Sequence, residues 1–213
     1  RRLRVSCGTD SNYIWIQEIE IFASKIRPRS PIARPGGTRP RPNITYFLPP
    51  MPPGQELFYE EADFDADGAP ELLVENKVLR LVLEPKLGGR IGSFVYKPTR
   101  HDFTVRPDPG VPGGLLGDHE QKQGYWGDWI EADYSYQVEQ NDNEIAVHLS
   151  AAGKTGALQF ITFNKTIRLR PGSSALKVDY LIENSFRSVT PLTYGFWFHN
   201  MALGPRGARS FFL

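Results

Sequence analysis

The feature that most constrains the fold is an apolar–polar alternation with a period of two residues, which recurs in five segments. Successive side chains of a β-strand point to opposite faces, so each segment predicts a strand with one buried face. The candidate inward residues are Leu79, Leu81 and Leu83; Tyr134, Tyr136 and Val138; Ile145, Val147 and Leu149; Ile161, Phe163, Ile167 and Leu169; and Leu176, Val178, Tyr180 and Ile182. Turn-forming runs at 141–143 and 170–173 separate the strands, and we find no capped helical stripe. We predict an all-β fold, an antiparallel β-sandwich.

Composition excludes several classes of protein. The net charge of +1 argues against a general nucleic-acid-binding protein, which needs a strong basic excess. No run of 18 apolar residues occurs, so we expect neither a membrane-spanning helix nor a membrane partner. The single cysteine, Cys7, excludes an intramolecular disulfide framework and a cysteine-rich zinc site.

Residues 25–55 have the composition of a linker. Nine of the 18 prolines and five arginines lie between residues 27 and 53. Proline lacks an amide donor, so this stretch is expected to be extended and to cross an open surface. Residues 1–55 carry a charge of +6 and residues 56–213 a charge of −5. The basic run is either a solubilising linker or a contact for nucleic acid or an anionic glycan.

The two ends indicate an internal piece of a longer protein. The chain begins Arg1-Arg2-Leu3 and ends in the apolar run 211–213. We therefore expect residues 56–213 to form an incomplete sandwich with an exposed apolar edge, which would make the fragment prone to aggregate.

Residues 1–24 contain a strand-like segment, 13–22, that is too short to be a domain and needs a partner strand. The sequence RLRV at 2–5, followed by NYIWIQEIEIF at 12–22, resembles the closing strands of a discoidin-type (coagulation-factor type C) β-sandwich. The resemblance implies a glycan-binding neighbour and assigns no site here. It favours an extracellular or periplasmic location.

A second resemblance follows the linker. The motifs are a hairpin at 73–85, a glycine-rich turn and strand at 87–94, and a strand at 175–184 followed by Pro-Leu-Thr at 191–193. In this order they resemble the galactose-mutarotase-like supersandwich over about residues 71–205. The resemblance implies that residues 56–213 are the N-terminal part of such a domain, whose later strands would lie beyond Leu213.

Two histidines acquire a candidate role from that resemblance. His119 is similar to the histidine of the family's His-Gly-Gly loop, and His199 to that of its Asn-His-Ser-Tyr-Phe strand. The resemblance implies that they hold and protonate a sugar ring oxygen, for which imidazole is suited near neutral pH. Glu120-Gln121 replaces the Gly-Gly, the family's Asn-Arg pair has no equivalent in 106–117, and the catalytic glutamate would fall outside the chain. Each histidine therefore has a packing or surface role as its alternative, and His101 and His148 are expected to be solvated.

The loop at 113–131 is rich in the groups that bind sugars. Trp126, Asp128 and Trp129 lie among its glycines, and aromatic faces beside carboxylates suit a sugar ring and its hydroxyls. On the last strand, Trp197 and His199 share a face. We predict that one concave face holds His119, Trp126, Asp128, Trp197 and His199. The alternative is that the tryptophans fill an aromatic core.

One acidic pattern is typical of calcium loops. Asp63, Asp65, Asp67 and Glu71 follow a D-x-D-x-D-G-x-x-E spacing, in which alternate carboxylates and a glycine turn wrap a hard cation. An acidic linker turn without a metal is the alternative.

Three functions remain open. The first is a non-catalytic carbohydrate-binding or scaffold sandwich within a multidomain carbohydrate-active protein, with carbohydrate and the other domains of the chain as partners. The second is a catalytic domain that uses His119 and His199, either epimerase-like or part of a glycoside hydrolase or polysaccharide lyase. The third is a structural interaction domain. The altered histidine motif favours the first over the second.

Overall fold

The computed structural model describes residues 3–10, 13–21, 45–104, 114–120, 128–185 and 196–197. Its strands are β1 Leu3–Asp10, β2 Tyr13–Ile21, β3 Leu57–Ala62, β4 Glu71–Asn76, β5 Leu79–Glu84, β6 Arg90–Tyr96, β7 His101–Asp102, β8 His119–Glu120, β9 Ser135–Gln140, β10 Ile145–Ala152, β11 Ile161–Leu169, β12 Leu176–Asn184 and β13 Phe196–Trp197. Two short 3-10 helices, Lys97–Thr99 and Gly156–Phe160, connect strands. In this part of the chain no helix has the length and apolarity needed to span a membrane.

The strands form two large antiparallel sheets, which confirms the predicted all-β sandwich. One sheet has the order β1-β2-β12-β11-β10-β9 and the other β3-β4-β5-β6-β7, while β8 and β13 form a separate pair. Strand β2, which lies within the predicted segment, pairs with β1 and β12, and Ile19 lies opposite Leu176. The assignment of residues 1–24 to a discoidin-like domain stays a prediction.

The core lies between the inward faces of the two large sheets. It joins Leu81 of one sheet with Val147, Phe163 and Val178 of the other, and each of these side chains is at most 2% exposed. Along β11, buried and half-buried residues alternate without interruption, as the sequence pattern predicts. Burial of these faces is the main driving force for joining the sheets.

The predicted hairpin and glycine-rich turn are both present. Strands β4 and β5 pair around the turn at 76–79. Gly88, with a φ of +74°, then lies so close to the main chain of Ile130 that a Cβ would collide with it. The turn therefore needs glycine both for its left-handed backbone and for this close approach.

The end of the linker covers the outer face of the five-stranded sheet. Tyr46 and Leu48 pack on a small cluster formed by Phe64, Leu73 and Val82. The amide of residue 47 donates a hydrogen bond to the carbonyl of Phe64 at 2.7 Å. This end of the linker is held against the sheet, where Tyr46 and Leu48 are half-buried, rather than crossing an open surface. The preceding part of the predicted linker, 27–44, and the apolar end at 211–213 lie outside the described residues.

Hydrogen bonds among Tyr46, Glu84 and Arg90, here called the Glu84 cluster, hold the end of the linker on the sheet. The hydroxyl of Tyr46 and the guanidinium of Arg90 donate to the two carboxylate oxygens of Glu84. Burial, followed by the charge of Glu84, raises the pKa of Tyr46, so its hydroxyl remains a donor. Gly92 lies beneath the contact, where a Cβ would collide with the Tyr46 hydroxyl and the Glu84 carboxylate.

We expect Tyr46→Phe to lower the free energy of unfolding by about 1–2 kcal/mol, because it removes a part-buried hydrogen bond to a charged acceptor. Tyr59→Phe is the control, since the Tyr59 hydroxyl bonds Glu61 at an exposed position; its loss should cost less than about 0.5 kcal/mol. Urea unfolding of both variants measures the difference. Equal decreases in the free energy of unfolding would mean that the Glu84 cluster does not hold the linker.

Candidate functional site

The two-stranded pair brings together two segments that are distant in sequence. Strands β8 and β13 run antiparallel, with the Cα atom of His119 opposite that of Trp197 and Glu120 opposite Phe196. The backbones of two predicted site residues are thus direct cross-strand neighbours. Trp126 and His199 lie outside the described residues, so their place in the site stays a prediction.

A buried charged cluster adjoins this pair. The Lys165 ammonium donates to the carbonyls of Leu116 at 2.7 Å and Gly88 at 3.1 Å, and lies 3.2 Å from Asp118 Oδ2. The Tyr180 hydroxyl donates to the same carboxylate oxygen at 3.0 Å. The side chains of Lys165 and Asp118 are 0% exposed. The cluster therefore joins strands β11 and β12 to the segment that leads directly into His119.

The electrostatics of the cluster follow from its burial. Burial lowers the pKa of Lys165, while the Asp118 carboxylate acts in the opposite direction. Burial and the charge of Asp118 both raise the pKa of Tyr180, which keeps its hydroxyl protonated. The Tyr134 ring centroid lies 5.1 Å from the ammonium, within cation–π range. With no access to solvent, the cluster is suited to holding backbone in place rather than to touching a ligand.

Sequence reasoning missed Lys165, although a signal was present. Lys165 has the same strand parity as its inward neighbours Phe163 and Ile167. A charged residue at an inward position of a strict alternation is a mark of a buried, paired group, because an unpaired charge there would be too costly.

Asp128 anchors a turn. Its side chain is buried, and Oδ2 accepts hydrogen bonds from the amides of Lys154 at 2.5 Å and Thr155 at 2.7 Å. Oδ1 accepts from the Thr155 hydroxyl at 2.9 Å. Both oxygens are thus engaged with the turn before the second 3-10 helix, which differs from the predicted contact with a sugar hydroxyl.

Trp129 belongs to the core. Its side chain is 0% exposed, its indole nitrogen donates to the carbonyl of Ala151 at 3.1 Å, and its ring centroid lies 5.7 Å from that of Phe163. An enclosed ring offers no face to a sugar. For this tryptophan the structure agrees with the alternative, an aromatic core, and not with the predicted stacking platform.

The acidic loop gathers the four predicted metal ligands. One oxygen from each of Asp63, Asp65, Asp67 and Glu71 lies within 4.8 Å of the others. The same carboxylates also bond the loop's own amides: Asp63 accepts from Gly68 at 3.0 Å and Glu71 from Phe64 at 2.7 Å. The arrangement fits a hard cation and equally fits a self-satisfied acidic turn, so both interpretations stand.

Charge is concentrated in this loop. Burial raises the pKa of Glu71 to about 7, the amide of Phe64 opposes this, and the charges of Asp65 and Asp67 add to it. Burial, followed by the charge of Asp67, also raises the pKa of Asp65. Either protons or a bound cation would relieve the repulsion among these groups.

The outer face of β9–β12 carries a polar groove of about 970 Å³. Within it the Arg168 guanidinium pairs with Asp179 at 3.2 Å and with Glu144 at 2.8 Å. His148, expected to be solvated, is half-buried there and lies 3.1 Å from the Thr166 hydroxyl, whereas His101 is exposed. The groove combines hydrogen-bonding groups with charges of both signs.

Comparison with known proteins gives limited matches. No protein-family model and no curated protein matches the chain. Among solved structures, a TPR-domain containing protein from Parabacteroides distasonis matches with a TM-score of 0.45 and 14% identity over 54% of this chain and 21% of its own. The 4-alpha-glucanotransferase from Thermococcus litoralis matches with a TM-score of 0.46 and 18% identity over 62% of this chain and 25% of its own. The chain thus spans a quarter or less of either protein, and the mutarotase-like and discoidin-like resemblances stay predictions.

We expect millimolar calcium to raise the melting temperature, because a cation held by Asp63, Asp65, Asp67 and Glu71 would bind only the folded loop. Asp65→Asn should remove the rise, and magnesium should reproduce it weakly because it demands a tighter octahedral geometry. Thermal unfolding with and without each ion measures this. An unchanged melting temperature would leave the acidic turn as the correct interpretation.

Glu71 also predicts a pH dependence. Its pKa rises from 4.5 to about 7 on folding, so the folded state binds more protons in that interval and stability should fall as the pH rises from about 4.5 to about 7. Glu71→Gln should remove this slope while its amide oxygen still accepts from Phe64. Asp133→Asn, at an exposed carboxylate, is the control and should preserve the slope. A slope unchanged in Glu71→Gln would contradict the assignment.

Asp128→Ala should lower the free energy of unfolding by about 2–3 kcal/mol, because it leaves two main-chain donors without their charged acceptor. Asp133→Ala breaks only an exposed ion pair with Lys86 and should cost less than about 1 kcal/mol. Denaturant unfolding gives both values. If Asp128→Ala instead lowers sugar affinity and leaves the free energy of unfolding unchanged, Asp128 contacts the sugar as the sequence predicts.

Proposed function

We propose that the chain is part of a multidomain carbohydrate-active protein and that its sandwich binds or scaffolds carbohydrate without catalysing a reaction on its own. The observation that carries the proposal is the pairing of His119 with Trp197. The residue types are those of a sugar site, an aromatic ring and a hydrogen-bonding imidazole, and the pairing makes them neighbours across two short strands. Cross-strand neighbours in an antiparallel pair have their Cβ atoms about 5 Å apart, within the size of one sugar ring.

The surroundings of the pair support a binding role over a structural one. The buried Lys165 holds Leu116 and Asp118, which lead directly into β8. Buried contacts of this kind keep a binding site in a defined shape. The polar groove on the outer face of β9–β12 offers a second surface with donors and acceptors for hydroxyl groups. The altered histidine motif, in which Glu120-Gln121 replaces the family's Gly-Gly, favours binding over catalysis.

The test is sugar binding by the whole protein, first on a glycan array and then by calorimetry with the sugars that bind. Trp197→Ala should weaken binding by about 1–3 kcal/mol, the scale of losing a well-packed aromatic contact. His119→Asn should weaken it less, because an amide retains part of the hydrogen-bonding capacity.

Phe47→Ala is the matched control, since Phe47 is an aromatic residue that is 76% exposed on the linker. It should leave affinity unchanged. If Trp197→Ala also leaves affinity unchanged, the site lies elsewhere, and Arg168→Ala and Trp15→Ala then test the groove and the N-terminal strands. If no sugar binds the whole protein, the proposed function is wrong.

A further inference from the structure

We propose that the buried cluster of Lys165, Asp118 and Tyr180 is the positioning device of the candidate site and sets the register of β8 against β13. Its role as part of a sugar site rests on the proposed function. Its effect on the strand pair rests on the described contacts alone, so the two can be tested separately.

The first argument is the cost of the charge. Removing an ammonium and a carboxylate from water carries a large desolvation penalty, and apolar residues of similar volume are often as stabilising as a buried ion pair. The inward positions beside Lys165 on β11 are the apolar Phe163 and Ile167. Stability alone therefore does not account for a lysine here, whereas a defined geometry does.

The second argument is the match between donors and acceptors. An ammonium has three N–H donors, and the Lys165 Nζ has three oxygen partners, from Gly88, Leu116 and Asp118. These partners come from two loops, and among the described residues neither loop pairs with β11. One side chain thus fixes both loops against the sheet.

The third argument is the conformation of the segment before β8. Leu116 has a φ of +59°, in the left-handed region that residues other than glycine rarely adopt, and its carbonyl accepts from Lys165. Leu115 exchanges two main-chain hydrogen bonds with Ile91, at 2.8 and 2.9 Å. Hydrogen bonds therefore hold Leu115 before the strained residue and Asp118 after it. Asp118 directly precedes His119, the first residue of β8.

The fourth argument is the shortness of the strand pair. Strands β8 and β13 contribute two residues each. An isolated two-stranded ribbon is marginally stable at best, so its register depends on what anchors its ends. On the β8 side that anchor is the cluster, and so the cluster determines which residue faces Trp197.

The decisive variant is Lys165→Met/Asp118→Asn in the whole protein. It removes one positive and one negative charge together, keeps similar volumes, and leaves an amide oxygen to accept from Tyr180. We expect the sandwich to fold, with amide exchange in β10 and β11 unchanged. Amide exchange at 119–120 and 196–197 should accelerate about tenfold or more, and the backbone NOEs between His119 and Trp197 should be lost.

Two further variants make the test independent of the double substitution. Tyr180→Phe removes one hydrogen bond to Asp118 and should accelerate the same exchange about threefold or more while retaining the fold. Lys97→Met/Glu75→Gln is the matched control: it neutralises another pair with a fully buried carboxylate, whose described contacts do not include 114–120. It should leave exchange at β8 and β13 unchanged.

The outcomes separate the two proposals. Unchanged exchange and NOEs at the strand pair in both Lys165→Met/Asp118→Asn and Tyr180→Phe would overturn the positioning role. Loss of the pairing in a protein that binds no sugar on the array supports the positioning role and rejects the proposed function. Loss of pairing together with a weakening of sugar affinity by about tenfold, at a melting temperature near that of the wild type, supports both. If the double variant does not fold, Tyr180→Phe decides.

Discussion

The mutual burial of one face of each large sheet is the constraint on which the other features depend. Strands β10, β11 and β12 each present a buried face that is apolar except at Lys165 of β11, and β4 and β5 present the opposing one. Water is excluded between them, so any polar group that enters this layer has to bring its partners with it. The positions of the loops around the sandwich follow from where those partners lie.

The buried polar groups of this chain act as anchors for irregular segments. Lys165 holds the segments at 88 and 116–118, Asp128 holds the turn at 154–155, and Glu84 joins the linker to the five-stranded sheet. Each anchor is a charged group whose hydrogen-bond partners include residues distant in the sequence. Loops that lack regular pairing are thereby given defined positions next to a rigid core, and this is the usual way in which a sandwich supports a binding site.

The predicted site was only partly accessible from the sequence. Residue types at 119 and 197 suggested sugar binding, and their backbone proximity depends on a pairing between β8 and β13 that no local pattern encodes. Trp129 and Asp128 have the composition of a sugar site as well, but the indole is enclosed and the carboxylate is engaged with main-chain donors. Side-chain chemistry is the same in either setting, so only the neighbours distinguish a ligand contact from a core contact. The acidic loop behaves differently, because its four carboxylates lie within nine residues and local turn geometry alone brings them together.

The sequence by itself determined the all-β class, the inward faces of β5 and β9–β12, and the hairpin at 73–85. These are local properties, set by the two-residue period of a strand and by the restricted backbone of proline and glycine. The tertiary structure alone decided that Glu84 holds the end of the linker on the outer face of a sheet, that Lys165 holds two loops, and that His119 lies opposite Trp197. These features depend on contacts between residues far apart in the chain. A buried charge is tolerated there only when partners from distant segments lie within hydrogen-bonding distance of it.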